Sequence, residues 1–171
     1  MERKGDLDVI LIGLGANLPS RFGPPRLTLV AAVKRLEEEG VRITRRSRFW
    51  RTRPVPESDQ PWFVNAVVAV ETDLTPAALL ALLHRIEADF GRVRAEVNAP
   101  RLLDLDLLSF GRVVLAGPEP PILPHPRLAR RAFTLLPIRD IAPGWVHPVT
   151  GESLDAMVAT LDPEQKAVAE E

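Results

Sequence analysis

The sequence predicts one α/β (α+β) domain of ferredoxin-like arrangement, an antiparallel sheet with helices packed on it, and three observations carry that reading. Two stretches with helical spacing of apolar residues alternate with valine- and leucine-rich extended stretches in the order β-α-β-β-α-β. The 171 residues, 46% of them hydrophobic, suffice for one well-packed core and are awkward for two. No internal repeat, low-complexity tract or linker divides the chain. A single domain over residues 1–171 is expected, with its core at about 8–161 and flexible termini.

The first element is "VILIGL", Val9 to Leu14, a continuous apolar run that suits a central strand buried on both faces. Gly13 and Gly15 are then expected to let the chain turn sharply, close to a ligand. The stretch "GLGANL" has leucine where G-x-G-x-x-G needs its third glycine, and no G-K-[ST] occurs, so neither a Rossmann nor a Walker phosphate site is supported. From Pro25, the apolar residues Leu29, Val33 and Leu36 recur at helical spacing until Gly40 supplies a stop. Val41 to Trp50 alternates loosely, and "RTRPVPESDQP" is a polar, proline-rich loop, long enough to suggest function.

"FVNAVVAVET" reads as a strand that puts Phe63, Asn65, Val67 and Ala69 on one face, so Asn65 interrupts an apolar surface. The second helix is predicted from Thr75 to Phe90, with Thr75 as cap, Pro76 in the first turn, a stripe of Leu79, Leu82, Leu83, Ile86 and Phe90, and Gly91 as stop. The polar stretch "RVRAEVNAP" follows, then the strand "PRLLDLDLLSF" from Pro100 to Phe110. A proline-laced stretch runs to Pro126, ahead of a short arginine-containing segment, "AFTLLPI", and a weak final helix at Leu154 to Leu161.

Composition narrows the possible partners. With 22 basic and 23 acidic residues, the chain offers no bulk attraction to nucleic acid or anionic lipid, and an anion site must be a local cluster. No apolar run approaches the ~20 residues needed to span a bilayer, and "MERKGDLDVILIGLG" has no small-residue cleavage site; a cytoplasmic location is expected. Zero cysteines exclude disulfides, thiolate catalysis and zinc–thiolate sites. The arginine and proline excess fits a thermophile or a GC-rich genome equally.

Residues two apart on a strand point the same way, so Asp104 and Asp106 project from one face while Leu103, Leu105 and Leu107 enter the core. Carboxylates held about 7 Å apart repel, and magnesium between them and a polyanion relieves that cost. Two such ions about 4 Å apart can clamp phosphate oxygens during phosphoryl transfer. The same D-x-D pattern also suits a solvated strand face. Arg92, Arg94 and Arg101 lie within a dozen or so positions of both acids and could hold a triphosphate bidentately, or else form an exposed loop pairing with Glu87 or Glu96. Of three histidines, His84 reads as structural, His147 carries no signal, and His125 beside Arg130 and Arg131 suits an anion site or a rigid loop. No nucleophilic triad is visible.

Five stretches, taken in order, resemble the 6-hydroxymethyl-7,8-dihydropterin pyrophosphokinases of folate biosynthesis: "GANL", "RTRPVPESDQPWFVNAVV", "IEADFGRVR", "PRLLDLDLL" and "LPHPRLARRAFTLLPI" followed by "IAP". The resemblance spans roughly Val9 to Pro143. It implies transfer of the β,γ-pyrophosphoryl group of ATP to the pterin hydroxymethyl, giving AMP. By the same resemblance, Asp104 and Asp106 are ligands of two Mg2+ ions, and Arg92 and Arg101 hold the triphosphate from a mobile loop. Glu87, Arg94, His125 and Arg131 are further ATP contacts, and Thr52, Val55, Phe63, Asn65 and Phe133 form the pterin pocket. The chain departs from the family pattern at Ala16, Arg53 and Pro56, and has Asn98 and Ala99 where tryptophan–glycine is usual. The implied partners are small molecules, with no nucleic acid or membrane, on a monomer or weak oligomer.

Two rival functions differ in what they require. A ferredoxin-like RNA-binding module needs exposed sheet aromatics and a basic surface, against 5% aromatics and a net charge of −1 here. Another magnesium-dependent nucleotide phosphotransferase would share the acids and arginines but not the Thr52 to Asn65 pocket.

Overall fold

The computed structural model describes residues 5–54, 56, 58–91 and 102–170. Its sheet has six strands: β1 (Ile10–Ala16), β2 (Arg42–Arg46), β3 (Trp50–Thr52), β4 (Phe63–Glu71), β5 (Asp104–Phe110) and β6 (Ala167–Ala169). Their order is β5-β1-β4-β3-β6, with β2 also on β4, and all these pairings are antiparallel. The helices are α1 (Pro25–Glu38), α2 (Pro76–Asp89), α3 (Ala132–Ile141) and α4 (Leu154–Ala159).

The expected order of elements is present, with the loosely alternating stretch resolved into β2 and β3, both laid on β4. Where the ladder lapses between them, the Ser47 hydroxyl accepts the Val67 N–H. The second helix begins as its sequence dictates. Thr75 Oγ1 accepts the Ala78 N–H, a cap contributing about 1 kcal/mol. Gly91, with φ +95°, follows the last turn in the left-handed region that glycine tolerates best.

Alternation along the strands sorts the core into two layers. Ile10, Ile12, Leu14, Val68, Val70, Leu105 and Leu107 face α1 and α2. Val9, Leu11, Val67, Ala69 and Leu108 face α3 and α4 instead, meeting Leu135, Ile138, Leu154 and Met157. The second helical layer was not legible as such, because "AFTLLPI" is short and carries Pro137 inside α3. It covers only part of its face. The part left open holds Gly13, Gly15, Asn65, Asp104 and Asp106.

One sequence expectation is corrected. Gly13 and Gly15 do not turn the chain: they lie within β1, which continues to Ala16 and pairs on both sides. Near the end of the chain, β6 adds along the edge of β3, outside both buried clusters. β3 is too short to hold that edge alone. Arg48 and Trp50 both donate to Asp140 of α3, and although burial works to raise this carboxyl's pKa, those hydrogen bonds prevail and hold it below the usual value.

Candidate active site

A cavity of about 840 Å³ opens on the uncovered part of the sheet, within the size range of small-molecule sites. Its floor is made by bare backbone. In register across three strands, Asp104 of β5 lies opposite Gly15 of β1, which lies opposite Asn65 of β4; Asp106 lies opposite Gly13 in the next row but one. Two strand spacings separate the Asp104 and Asn65 backbones, on the order of 10 Å. A side chain on Gly15 would fill the gap, since a Cβ there would stand 2.7 Å from Asn65 Oδ1.

At the β4 end, Asn65 is buried and donates through Nδ2 to Thr52 Oγ1. Its Oδ1 accepts no hydrogen bond among the described residues, so the amide retains a donor and an acceptor for a heterocycle edge. Phe63 and Phe133 add half-buried aromatic walls to the same cavity. The loop wall includes Arg53, Pro56 and Gln60, the last held by Asn17 Nδ2 at 3.0 Å.

The β5 end is charged. Asp104 and Asp106, half-buried, face a cavity also lined by His125, Arg127, Arg130 and Arg131. Burial lowers the Arg131 pKa, while Asp106 and, more weakly, Asp104 draw it back up and Arg127 lowers it further. The guanidinium of Arg131 sits 5.0 Å over the Phe133 ring.

His125 is pushed down to about 4 by burial first and then by Arg131 and Arg127. It is neutral at pH 7. Its Nδ1 accepts the Arg127 N–H at 3.1 Å, which puts the ring proton on Nε2 as a donor.

One cavity therefore brings together eight of the thirteen residues singled out in the sequence: Thr52, Phe63, Asn65, Asp104, Asp106, His125, Arg131 and Phe133. Glu87 does not line it. Its buried carboxylate accepts the N–H of Leu105 at 2.9 Å, the residue between the two aspartates. Val55, Arg92, Arg94 and Arg101 lie outside the described residues. The sequence reading missed Arg127, Thr134 and Gln165 as lining residues. Arg127 and Thr134 stand within two positions of residues it did name; Gln165 arrives from a distant segment and carries no local signal.

Among the described residues, no group of three or more His, Cys, Asp or Glu side chains could hold a metal ion by itself. Paired carboxylates on one strand face nonetheless suit a hard cation that takes its other ligands from phosphate and water. Among the described residues no helix is long and apolar enough to cross a membrane.

Residues 3–143 match the model of the 7,8-dihydro-6-hydroxymethylpterin-pyrophosphokinase (HPPK) family. The chain is 40% identical over 153 residues to the 2-amino-4-hydroxy-6-hydroxymethyldihydropteridine pyrophosphokinase of Methylorubrum extorquens, covering 89% of this chain and 92% of that protein. It is 37% identical to the folic acid synthesis protein fol1 of Pneumocystis carinii over 90% of this chain, which spans only 20% of that longer protein. In fold it is similar to wild-type Plasmodium falciparum HPPK-DHPS with pteroate, with a TM-score of 0.68, 13% identity, and coverage of 93% of this chain and 45% of that one.

Proposed function

The chain belongs to the 7,8-dihydro-6-hydroxymethylpterin-pyrophosphokinase family, ATP-using transferases of folate synthesis, and from that membership we propose how its cavity divides the work. The reaction moves the β,γ-pyrophosphoryl group of ATP to the hydroxymethyl oxygen of 6-hydroxymethyl-7,8-dihydropterin and releases AMP. The observation that carries the reading is the row Asp104–Gly15–Asn65, an acidic end and an amide end on one bare floor.

The pterin lies at the amide end. Asn65 offers both hydrogen-bonding senses to its edge, Thr52 fixes the Asn65 rotamer, and Phe63 and Phe133 supply ring faces, with Val55 beside them by resemblance. The triphosphate lies at the acidic end. Asp104 and Asp106 would hold magnesium, two ions on this reading, which supplies charge neutralisation to the phosphates when bound. Arg131 pairs with phosphate oxygens and neutral His125 donates Nε2–H to them. Arg92, Arg94 and Arg101 complete the cationic set by resemblance.

Glu87 takes a different part from the direct ATP contact that the resemblance implies. Through the Leu105 N–H it fixes the β5 backbone between the two acids, and so sets where both carboxylates stand. Positioning and charge neutralisation carry most of the pyrophosphoryl transfer on this reading.

A second magnesium-dependent phosphotransferase reading would keep the acidic end and lose the amide end. Titrating 6-hydroxymethylpterin into the protein with magnesium and an unreactive ATP analogue separates the two. Saturable binding, weakened at least about tenfold by Asn65→Ala through the lost buried hydrogen bonds, is expected. Binding that ignores the substitution, or no binding, contradicts the pterin assignment.

A further inference from the structure

Residues 144–170 lie beyond the family match, yet one of them lines the cavity. Gln165 leaves a turn in which Glu164 N–H is held by Asp162 Oδ1 and Gln165 N–H by the Asp162 carbonyl. Its side-chain Oε1 accepts the Ala132 N–H at 2.8 Å, and its Nε2 donates to the Arg130 carbonyl, also at 2.8 Å. One carboxamide thus holds the two backbone groups that flank Arg131. We propose that Gln165 is a positioning residue that sets Arg131 for the ATP phosphates, a role resting on the reading of Arg131 given above.

Three features support the assignment. Ala132 opens α3, whose N-cap residue Arg131 makes no side-chain capping bond, so Gln165 supplies from a distant segment what the local sequence lacks. Arg131 is a partly buried cation that Asp106 and Asp104 attract and Arg127 repels, so the position of its backbone sets how these charges meet. The next residue fastens the opposite wall: the Lys166 carbonyl accepts the Arg53 N–H at 3.0 Å, and β6 pairs Ala167 with Thr52. The segment therefore ties the start of α3 to the end of β3 beside the cavity, while Asp140 ties the far end of α3 to Trp50.

Glutamine suits this place because it presents a donor and an acceptor side by side. Glutamate would turn a carboxylate oxygen toward the Arg130 carbonyl, and alanine would leave both groups without a partner. The test combines Gln165→Ala, Gln165→Glu, Arg131→Ala and the Arg131→Ala/Gln165→Ala pair, with steady-state KM values for both substrates and amide exchange at Ala132 followed by NMR.

Gln165→Ala should speed exchange at Ala132 and raise the KM for ATP about fivefold to tenfold, as expected for one or two hydrogen bonds, with the pterin KM within about twofold. Gln165→Glu should not restore the ATP KM, although it fills the same volume. In the double variant the loss should be no greater than in Arg131→Ala alone. Unchanged exchange at Ala132, additive losses, rescue by glutamate, or equal effects on both substrates would overturn the proposal. Faster exchange combined with an Arg131→Ala variant of wild-type ATP KM would instead overturn the phosphate role of Arg131, and the purpose of the contact with it.

Discussion

In the proposed reading, Asp104 and Asp106 depend on what stands opposite them. A D-x-D pair on a strand is common, but here each acid stands in register with a glycine on β1 and lines the cavity. Asp104→Asn or Asp106→Asn should cut turnover by at least about a hundredfold by removing a hard anionic ligand, and leave the melting temperature within about 3 °C because both groups are half-exposed. A large stability loss with turnover intact would make the pair structural. His125 is testable at the same scale. Its pKa near 4 lies below the ordinary value of 6.5, so the unfolded chain binds the extra proton between those values. Its contribution to stability is complete above pH 6.5 and is lost as pH falls toward 4, and His125→Gln should flatten that part of the acid limb. Bound ATP should raise the ring's NMR titration midpoint, because phosphate favours the charged imidazolium. That the two acids share a face and that Asn65 interrupts an apolar one was legible from period-two alternation; their proposed roles came from the resemblance. The neutrality of His125 was not, since it depends on burial and on Arg127 and Arg131 meeting it in space.

Strand β1 is the element on which the site is built, and its glycines were misread. A glycine pair after an apolar run signals a turn in sequence, while in the fold it leaves the cavity face of the strand without side chains at two positions. Gly15→Ala tests this directly. Its Cβ would come within 2.7 Å of Asn65 Oδ1, and the amide must rotate or β1 must shift. The pterin titration should show a loss comparable to that of Asn65→Ala, about tenfold or more. Gly13→Ala should do less, because its Cβ would meet the flexible end of Leu108 at 3.2 Å. Equal affinity in wild type and Gly15→Ala would remove the floor from the account. Helix α2 shows the opposite case, legible from cap to stop because Thr75, Pro76 and Gly91 act locally. Helix α3 was hidden by its brevity, by Pro137, and by a start fixed from Gln165.

Across the whole molecule, the sheet with α1 and α2 forms one core, and α3 and α4 form a partial second layer that stops short of the Gly13–Gly15 floor. The site is the unfilled remainder of that layer. The first layer was readable because its spacing is local and periodic; the second depends on contacts between distant segments, such as Asp140 with Trp50 and Arg45 with the Ile141 carbonyl, 90 and 96 residues apart. The proposed reading assigns the amide end of the cavity to the pterin and the acidic end to ATP. Incubating the protein with ATP, magnesium and 6-hydroxymethyl-7,8-dihydropterin, and separating the nucleotides by chromatography, tests that claim most directly. The account predicts one AMP for each pterin pyrophosphate formed; ADP with a pterin monophosphate, or no pterin-dependent turnover of ATP, would contradict it.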